Sequence, residues 1–204
     1  MTAAGNPEPP QPFSPTAHQT LRDLAAHASS GVTIVCGFPA AGKTTATRLL
    51  AELVDPVVLD KDTFAPRLEE SVMAELNGNP HDRDSDLYRR VVSPHLYAAL
   101  VQQAVTIARR CPVVVDAPFL GYITAAGEQE RRLSDYIRTI AGDDAVIRTV
   151  WVETDTTQIR ERMALRGAER DRPKLADWQT YRANVLDSGL AHTGPRVTDY
   201  RVTN

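Results

Sequence analysis

Cysteine is scarce in this sequence, and so are the features of secreted or membrane-spanning chains. The 204 residues include two cysteines, Cys36 and Cys111, and each borders an apolar run typical of a buried strand. A free thiol in such a place behaves as a small buried hydrophobic group, so we expect no disulfide. No stretch approaches the roughly 20 apolar residues of a membrane-spanning helix. The sequence therefore predicts a cytoplasmic protein without a membrane partner.

Positive charge is not in excess either. The sequence has 23 lysines and arginines against 26 aspartates and glutamates, which gives a formal net charge of −3. Proteins that bind along nucleic acids without sequence preference normally carry a basic excess. Binding along a nucleic acid is therefore disfavoured, although a pocket for a 5′ end would need only a few arginines.

Prolines are concentrated at the amino-terminal end, where apolar runs are missing. Residues 1–15 hold five of the 14 prolines and match neither a signal peptide nor a membrane anchor. This composition predicts a flexible proline-rich tail because it offers no core to bury. We expect residues 16–204 to form a single domain, a size that can bury a continuous hydrophobic core.

The clearest motif is a glycine-rich loop, GFPAAGKTT, at residues 37–45. It follows an apolar, β-branched run (31–36) that predicts a buried strand, and it precedes a run (44–54) with leucines at helical spacing. Strand, glycine loop and helix in this order are the context in which such a loop binds a nucleoside triphosphate. The residues expected to contact the nucleotide are Gly37, Ala40, Ala41, Gly42, Lys43, Thr44 and Thr45.

The residue types in this loop suit a polyphosphate. Gly37 and Gly42 let successive backbone N–H groups converge on one concavity, and the following helix adds the positive end of its dipole. Lys43 is expected to reach the β- and γ-phosphates, and the Thr44 hydroxyl to bind Mg²⁺. Asp116 ends the apolar run VVVD, a pattern typical of a carboxylate that holds the same Mg²⁺, through a water molecule.

Apolar strand-like runs alternate with helical patterns along the chain. The helical patterns cover residues 15–28, 44–54, 66–76, 85–110 with a break near Pro94, 127–142, 156–167 and 175–186. This alternation predicts an α/β fold in which helices cover both faces of a parallel sheet and ligands bind beyond the carboxyl ends of the strands. The polar residues at those ends are Asp60, Asp62, Asp116, Glu153 and Asp155.

Two of these carboxylates, Asp60 and Asp62, suit transfer of a phosphoryl group to an acceptor. An alcohol that attacks phosphorus must lose its proton, and a carboxylate within hydrogen-bond reach can accept it. We prefer Asp62 for this role, although its position before a helical pattern also suits a helix cap. Asp60 stays open as the alternative. Arg67, five residues after Asp62, is a candidate to steady the acceptor or the aspartate.

Arginines cluster late in the chain, between residues 160 and 173. Arg162 and Arg166 share one face of a helix, and Arg170 lies in a polar segment between two helices. Cations on a hinged segment can neutralise the oxygens of a phosphoryl group and exclude water. We therefore predict an arginine-bearing lid, in which Arg160 instead pairs along an exposed helix face.

In order and spacing, GFPAAGKTT, VVLDKDTF, VVVDAPF and the segment 151–181 resemble the compact P-loop kinase family. That family includes chloramphenicol phosphotransferase, gluconate kinase, zeta toxin and the polynucleotide 5′-kinase domain. The resemblance, which covers residues 31–190, implies a P-loop NTPase three-layer sandwich with a mostly parallel five-stranded sheet. It also implies ATP with Mg²⁺ as the donor, Asp62 as the acceptor-facing carboxylate, and lid arginines at Arg162, Arg166 and Arg170.

Three functions stay open on the sequence. The leading one is transfer of the γ-phosphate of Mg·ATP to a hydroxyl of a small molecule. Two alternatives use the same chemistry: a 5′-kinase that acts on a nucleic-acid end, and a zeta-toxin-like kinase. A regulatory ATPase that hydrolyses slowly belongs to another class, and its GTPase version is disfavoured because no Asn-Lys-x-Asp follows a late strand. A rise in ATP turnover on adding hydroxylated acceptors would separate a kinase from such a switch.

Overall fold

The computed structural model of the chain describes residues 13–142 and 145–204. Residues 1–12 of the predicted tail (1–15) lie outside the described residues. Phe13, which was assigned to that tail, is buried in the core, and Ser14 caps the first helix through its side chain. Among the described residues, no helix combines the length and the apolar character that crossing a membrane requires.

A five-stranded sheet forms the centre of the molecule. Its order is β2-β3-β1-β4-β5, and each neighbouring pair of strands is parallel. The predicted α/β fold with a five-stranded, mostly parallel sheet is confirmed. The strands are Val32–Cys36 (β1), Val57–Asp60 (β2), Val113–Asp116 (β3), Ile147–Glu153 (β4) and Tyr200–Thr203 (β5).

Helices surround this sheet. All five residues of β1 are buried, and successive residues of a strand point to opposite faces, so both faces are covered. The helices of the described residues are Pro15–Ala25 (α1), Lys43–Val54 (α2), Lys61–Phe64 (α3), Pro66–Asn77 (α4), Asp86–Val91 (α5), Ser93–Ala108 (α6), Leu120–Glu128 (α7), Leu133–Ala141 (α8), Thr156–Arg166 (α9), Arg172–Ala176 (α10), Trp178–Tyr181 (α11) and Leu190–Val197 (α12). A 3₁₀ turn, Glu169–Asp171, and a π-helical turn, Arg182–Leu186, complete them.

The strand register brings the carboxyl ends of three strands together. Asp60, the last residue of β2, pairs with Asp116, the last residue of β3, and Asp116 pairs with Val35 of β1. The loops that leave these strands therefore start side by side. This alignment gathers the glycine-rich loop and the two carboxylate-bearing strand ends at one edge of the sheet.

Three helices, α3, α7 and α12, were not predicted, and two of them, α7 and α12, contain turn-forming residues. Gly121 and Gly127 lie within α7, and Gly194 and Pro195 lie within α12. Gly194 has a packing role, since a β-carbon there would come within 2.6 Å of the Trp151 ring. The absence of a side chain lets α12 lie directly on β4, so tertiary packing outweighs the local propensity for a turn.

The predicted continuous helix over 175–186 is wrong. The segment is divided into α10, α11 and the π-helical turn. Asp177 separates α10 from α11, with a non-helical backbone conformation of φ −120° and ψ 63°. The Asp177 side chain accepts a hydrogen bond from the Thr180 amide, so it caps α11 instead of continuing α10. This division matters for function because the same segment closes one side of the cleft described below.

Candidate functional site

A cleft of about 1030 Å³ lies at the carboxyl ends of β1, β2 and β3. Its lining combines the glycine-rich loop, the residues that follow β2 and β3, and the late arginine-bearing segment. The predicted positions that line it are Ala40, Gly42, Lys43, Thr44, Asp60, Asp62, Asp116, Arg162, Arg166 and Arg170. The cleft is where ligands of open parallel sheets bind.

The glycine-rich loop owes its path to two glycines. Gly37 has φ +143°, and a β-carbon there would lie 2.5 Å from the Val152 carbonyl oxygen. Gly42 has φ +101° and directly precedes α2, which begins at Lys43. A side chain at either position would therefore shift the loop. Three predicted binding residues, Gly37 and Ala41 of the loop and Thr45 of α2, do not line the cleft.

Lys43 lies at the junction of the loop and α2 with its amine held back onto the loop. The side-chain Nζ donates a 2.9 Å hydrogen bond to the Phe38 carbonyl oxygen. Burial lowers the pKa of Lys43, and the carboxylates of Asp116 and Asp62 partly oppose that change. Lys43 thus places a buried amine at the amino-terminal end of α2, a suitable place for a polyphosphate.

Thr44 and Asp116 form a pair of oxygen donors beside Lys43. The Thr44 hydroxyl donates a 2.7 Å hydrogen bond to Asp116 Oδ2. Burial raises the pKa of Asp116, whereas Lys43 and the Thr44 hydrogen bond act to lower it. Among the described residues, no group of three or more His, Cys, Asp or Glu could hold a metal ion alone. The hydroxyl and the carboxylate fit Mg²⁺, which binds proteins through one or two such ligands and takes the rest from phosphates and water.

Asp60 and Asp62 both line the cleft but differ in their local roles. Asp60 Oδ1 accepts a 2.9 Å hydrogen bond from the Asp62 amide, so Asp60 caps α3. The sequence pattern placed Asp62 at the end of a strand. In the structure, β2 ends at Asp60, and Asp62 lies in the first turn of α3. Its carboxylate is 43% exposed, whereas the capping carboxylate is tied to the backbone. The arrangement leaves Asp62 as the carboxylate with room for a ligand.

The late arginines reach the cleft from α9 and the 3₁₀ turn. Arg162 Nη1 donates to the carbonyl oxygens of Ala40 and Ala41 at 3.5 and 3.3 Å. Arg166 pairs with Asp171 at 2.6 Å, and Arg170 pairs with Asp62 at 2.8 Å. The three predicted lid arginines thus share one cleft. Arg160 lies outside it, with its guanidinium 5.5 Å from the Trp178 ring.

Arg67 does not join this group. It is an exposed residue of α4 and is absent from the lining of the cleft. The guanidinium near the acceptor side belongs instead to Arg83, in the loop before α5. Arg67 was placed by its distance along the chain from Asp62, and α4 turns it towards solvent.

Glu69 is a buried hub that the sequence interpretation missed. Its side chain is 3% exposed. Its Oε1 atom forms ion pairs with Lys61 Nζ at 2.7 Å and with Arg83 Nε at 3.1 Å. The Tyr88 hydroxyl donates to the same carboxylate oxygen. This network joins α3, α4, α5 and the loop between them, next to Asp62. The sequence contains a signal for this burial. Glu69 lies four residues before the buried Met73, so both side chains lie on the apolar face of α4.

A cluster of aromatic rings on the acceptor side was also missed. The rings belong to Tyr97 of α6, to Phe119, which directly precedes α7, and to Tyr122 of α7. Their centroids are 5.0 to 5.7 Å apart, and all three line the cleft. Burial raises the pKa of Tyr122 to about 12, so its hydroxyl stays neutral over the physiological range. Tyr97 lies on a different helix, far along the chain from Phe119 and Tyr122, so no single motif contains all three.

Charge pairing divides the cleft into two halves. Lys43 and Arg162 have no carboxylate within 4.0 Å among the described residues, and both are at the glycine-rich loop. Lys61, Arg83 and Lys174, on the acceptor side, each pair with an acid. The two cations without a close acid partner are therefore both at the loop, where an anionic ligand would be bound.

The chain was compared with protein families, curated proteins and solved structures. A model of the family described as AAA domain (AAA_33) matches residues 32–186. No curated protein matches the chain. Shikimate kinase from Acinetobacter baumannii, in complex with shikimate, is 19% identical with a TM-score of 0.50, covering 88% of this chain and 86% of its own. TT1252 from Thermus thermophilus is also 19% identical, with a TM-score of 0.46. The match covers 86% of this chain and 89% of TT1252.

Proposed function

Since the chain belongs to the AAA domain family AAA_33, we propose that it is an ATP-dependent kinase that phosphorylates a hydroxyl group of a small molecule. The fold is that of compact P-loop kinases, as the motifs predicted. The observation that carries the proposal is a single cleft lined both by the glycine-rich loop and by the Asp62 carboxylate. A carboxylate in that position can accept the proton of an attacking hydroxyl group.

The donor half of the cleft suits the phosphates of ATP. Lys43 and Arg162 supply the unpaired positive charge there, and the amino-terminal end of α2 supplies backbone N–H groups. Thr44 and Asp116 would hold Mg²⁺. When bound, this ion neutralises charge on the phosphate oxygens. The donor half thus supports binding of the nucleotide, but it does not by itself select transfer over hydrolysis.

The acceptor half provides the group that transfer requires. In the proposed step, the acceptor oxygen bonds to the γ-phosphorus while the bond from that phosphorus to the β–γ bridging oxygen breaks. The hydroxyl proton passes to the Asp62 carboxylate, and ADP is the leaving group. Arg170 pairs with Asp62 at 2.8 Å, so an acceptor hydroxyl must share or displace this contact. A positioned carboxylate of this kind contributes about 10² to 10⁴-fold to proton transfer.

The arginine-bearing segment supports exclusion of water. Arg166 is fixed by Asp171, a residue with 1% exposure, so its guanidinium stays over the cleft. Arg162 and Arg170 contact the two opposite sides, the glycine-rich loop and α3. Cations that bridge donor and acceptor can neutralise the transferring group and close the site. The segment is accordingly assigned the role of a lid.

An acceptor-dependence measurement tests this proposal. ATP turnover is followed with Mg²⁺, first alone and then with a panel of uncharged, cationic and anionic hydroxylated compounds, including an oligonucleotide with a free 5′ hydroxyl. The proposal predicts that at least one small molecule raises turnover and is recovered as its phosphate monoester by phosphorus NMR. Turnover that no acceptor raises, together with nucleotide binding, would favour the regulatory ATPase instead. Stimulation by the oligonucleotide alone would favour the 5′-kinase.

A further inference from the structure

Tyrosine is concentrated in the cleft. The sequence has six tyrosines, and four of them, Tyr88, Tyr97, Tyr122 and Tyr181, line it. Two of these rings, Tyr97 and Tyr122, pack on Phe119 at centroid distances of 5.0 and 5.4 Å. Phe119 is 1% exposed and Tyr97 is 8% exposed, whereas Tyr122 is only partly buried. Tyr122 is therefore the ring of this cluster that offers a face to a ligand.

This aromatic cluster lies next to the acceptor carboxylate. Burial is the main cause that raises the pKa of Tyr97, and the negative charges of Asp62 and Glu69 add to it. The helix that carries Asp62, α3, packs against α6, which carries Tyr97, and both residues line the same cleft. A molecule that presents a hydroxyl to Asp62 would therefore place its body beside Tyr97 and Tyr122.

Each of three cations on this side of the cleft already has an acid partner. Lys61 and Arg83 share Glu69, at 2.7 and 3.1 Å, and Lys174 pairs with Asp84 at 3.1 Å. The Lys61 and Lys174 side chains are 9% and 7% exposed, so separating either pair leaves a buried charge without a partner. Breaking a buried pair in this way is costly. An anionic acceptor would have to do so, and an uncharged one would not.

From these contacts we propose that the acceptor is an uncharged alcohol with a flat apolar or aromatic ring. The ring stacks on or against Tyr122, the hydroxyl meets Asp62, and the nearby cations keep their acid partners. Aromatic contacts favour offset or edge geometry and discriminate against hydrated, purely polar bodies. This inference rests on the proposed kinase function, because it names the substrate class of the same site.

A binding experiment with three probes tests the inference. The probes are benzyl alcohol, para-(hydroxymethyl)benzoate and inositol, which represent an uncharged ring, the same ring with a carboxylate, and an uncharged polyol. Affinities are measured by ligand-observed NMR with the full chain, Mg²⁺ and a non-hydrolysable ATP analogue. We expect benzyl alcohol to bind about tenfold more tightly than either other probe.

Substitutions at Tyr122 and Asp84 test which side chains cause these differences in affinity. Tyr122→Ala is expected to weaken benzyl alcohol binding about tenfold, and Tyr122→Phe is expected to retain it, because the ring is kept. Asp84→Asn releases Lys174 and is expected to raise the affinity for para-(hydroxymethyl)benzoate about fivefold. Asp135→Asn is the matched control, since it releases Arg138 on α8, outside the cleft. It should leave all three affinities unchanged.

The results separate this inference from the kinase proposal. Equal or tighter binding of para-(hydroxymethyl)benzoate, no binding of benzyl alcohol, or full retention in Tyr122→Ala would overturn the inference. If a hydroxy acid or a polyol is then found to be phosphorylated, the kinase proposal stands and only the acceptor class is wrong. If benzyl alcohol binds with the expected dependence on Tyr122 but no acceptor raises ATP turnover, the pocket chemistry stands and the kinase proposal fails.

Discussion

Asp62 and Arg170 are joined by an ion pair of 2.8 Å that connects the acceptor side of the cleft to the lid. The two side chains are 43% and 38% exposed, so water screens their attraction and the pair contributes little to folding stability. Its importance is positional. In the proposed mechanism, this pair holds Arg170 where it can meet both the proton-accepting carboxylate and the transferred phosphoryl group.

Replacing Arg170 by alanine should therefore affect turnover far more than stability. We expect kcat to fall by about 10² to 10³-fold, because a cation that meets the transferring group is lost. The free energy of unfolding should change by less than about 1 kcal/mol. Arg172→Ala is the matched control, since this residue is 71% exposed, pairs with Glu169 and does not line the cleft. Equal kcat in the two variants would remove Arg170 from the lid mechanism.

Lys43→Met should separate nucleotide binding from folding. Burial lowers the pKa of Lys43, so at neutral pH the charged amine disfavours the folded state relative to the unfolded one. This penalty is fully present below the folded-state pKa and fades as the pH rises through it towards the unfolded value. The variant removes the penalty, and we expect a Tm without ligand at neutral pH that is equal to or higher than that of the parent.

The Tm increase caused by an ATP analogue should be lost in Lys43→Met, because the cation for the phosphates is gone. Arg48→Met, on the exposed surface of the same helix, is the control and should keep that increase. Both temperatures come from calorimetry with and without the analogue. An unchanged ligand-induced increase in Lys43→Met would contradict the assignment of the phosphate loop.

Thr44→Val tests the predicted Mg²⁺ site. The change keeps the shape of the side chain but removes the hydroxyl that donates to Asp116. Nucleotide affinity with Mg²⁺ should fall about tenfold, whereas affinity without the metal should change little, because only one ligand of the ion is lost. Thr106→Val removes a hydroxyl that bonds only the Gln102 carbonyl of its own helix, and it should alter neither affinity. Equal losses with and without Mg²⁺ would assign Thr44 to phosphate instead of metal.

Gly194→Ala examines the packing of α12 on β4. A β-carbon at this position would lie 2.6 Å from the Trp151 ring, so we expect a loss of about 1–3 kcal/mol in the free energy of unfolding. Gly121→Ala is the counterpart within α7, where a β-carbon meets no atom within 4 Å. It should stabilise the protein by about 0.5–1 kcal/mol. Chemical denaturation of both variants gives the comparison, and a neutral Gly194→Ala would show that Trp151 can move aside.

The sequence was sufficient for the sheet and for the donor half of the cleft. Continuous apolar runs identify buried parallel strands, and the glycine-rich loop carries its chemistry in one contiguous segment. Lys43, Thr44 and Asp116 therefore lie where their motifs indicated. Arg162, Arg166 and Arg170 were found because one helix and the turn after it hold all three.

The acceptor half was much less accessible to prediction. Tyr97, Phe119 and Tyr122 meet only after α6 and α7 have packed on the sheet, and Glu69 collects partners from three segments. Arg67 shows the opposite error, since nearness in sequence to Asp62 did not bring it into the cleft. The residues on this side of the cleft come from several elements, so their arrangement is a property of the tertiary fold.

The central claim is that Asp62 accepts the proton of an acceptor hydroxyl, and Asp62→Asn tests it most directly. Asparagine keeps the size of the side chain but removes the charge, so kcat with an acceptor should fall by about 10² to 10⁴-fold. Affinity for Mg·ATP should be nearly unchanged. Asp60→Asn is the comparison, because an asparagine oxygen can still accept the Asp62 amide and cap α3. Its effect on kcat should be far smaller.

The decisive measurement is the ratio of acceptor-dependent to acceptor-independent ATP turnover in these two variants, with the best acceptor from the panel. We predict that this ratio collapses in Asp62→Asn and persists in Asp60→Asn. A collapse in Asp60→Asn alone would move the role to Asp60. A ratio unchanged in both variants would contradict proton transfer to either carboxylate.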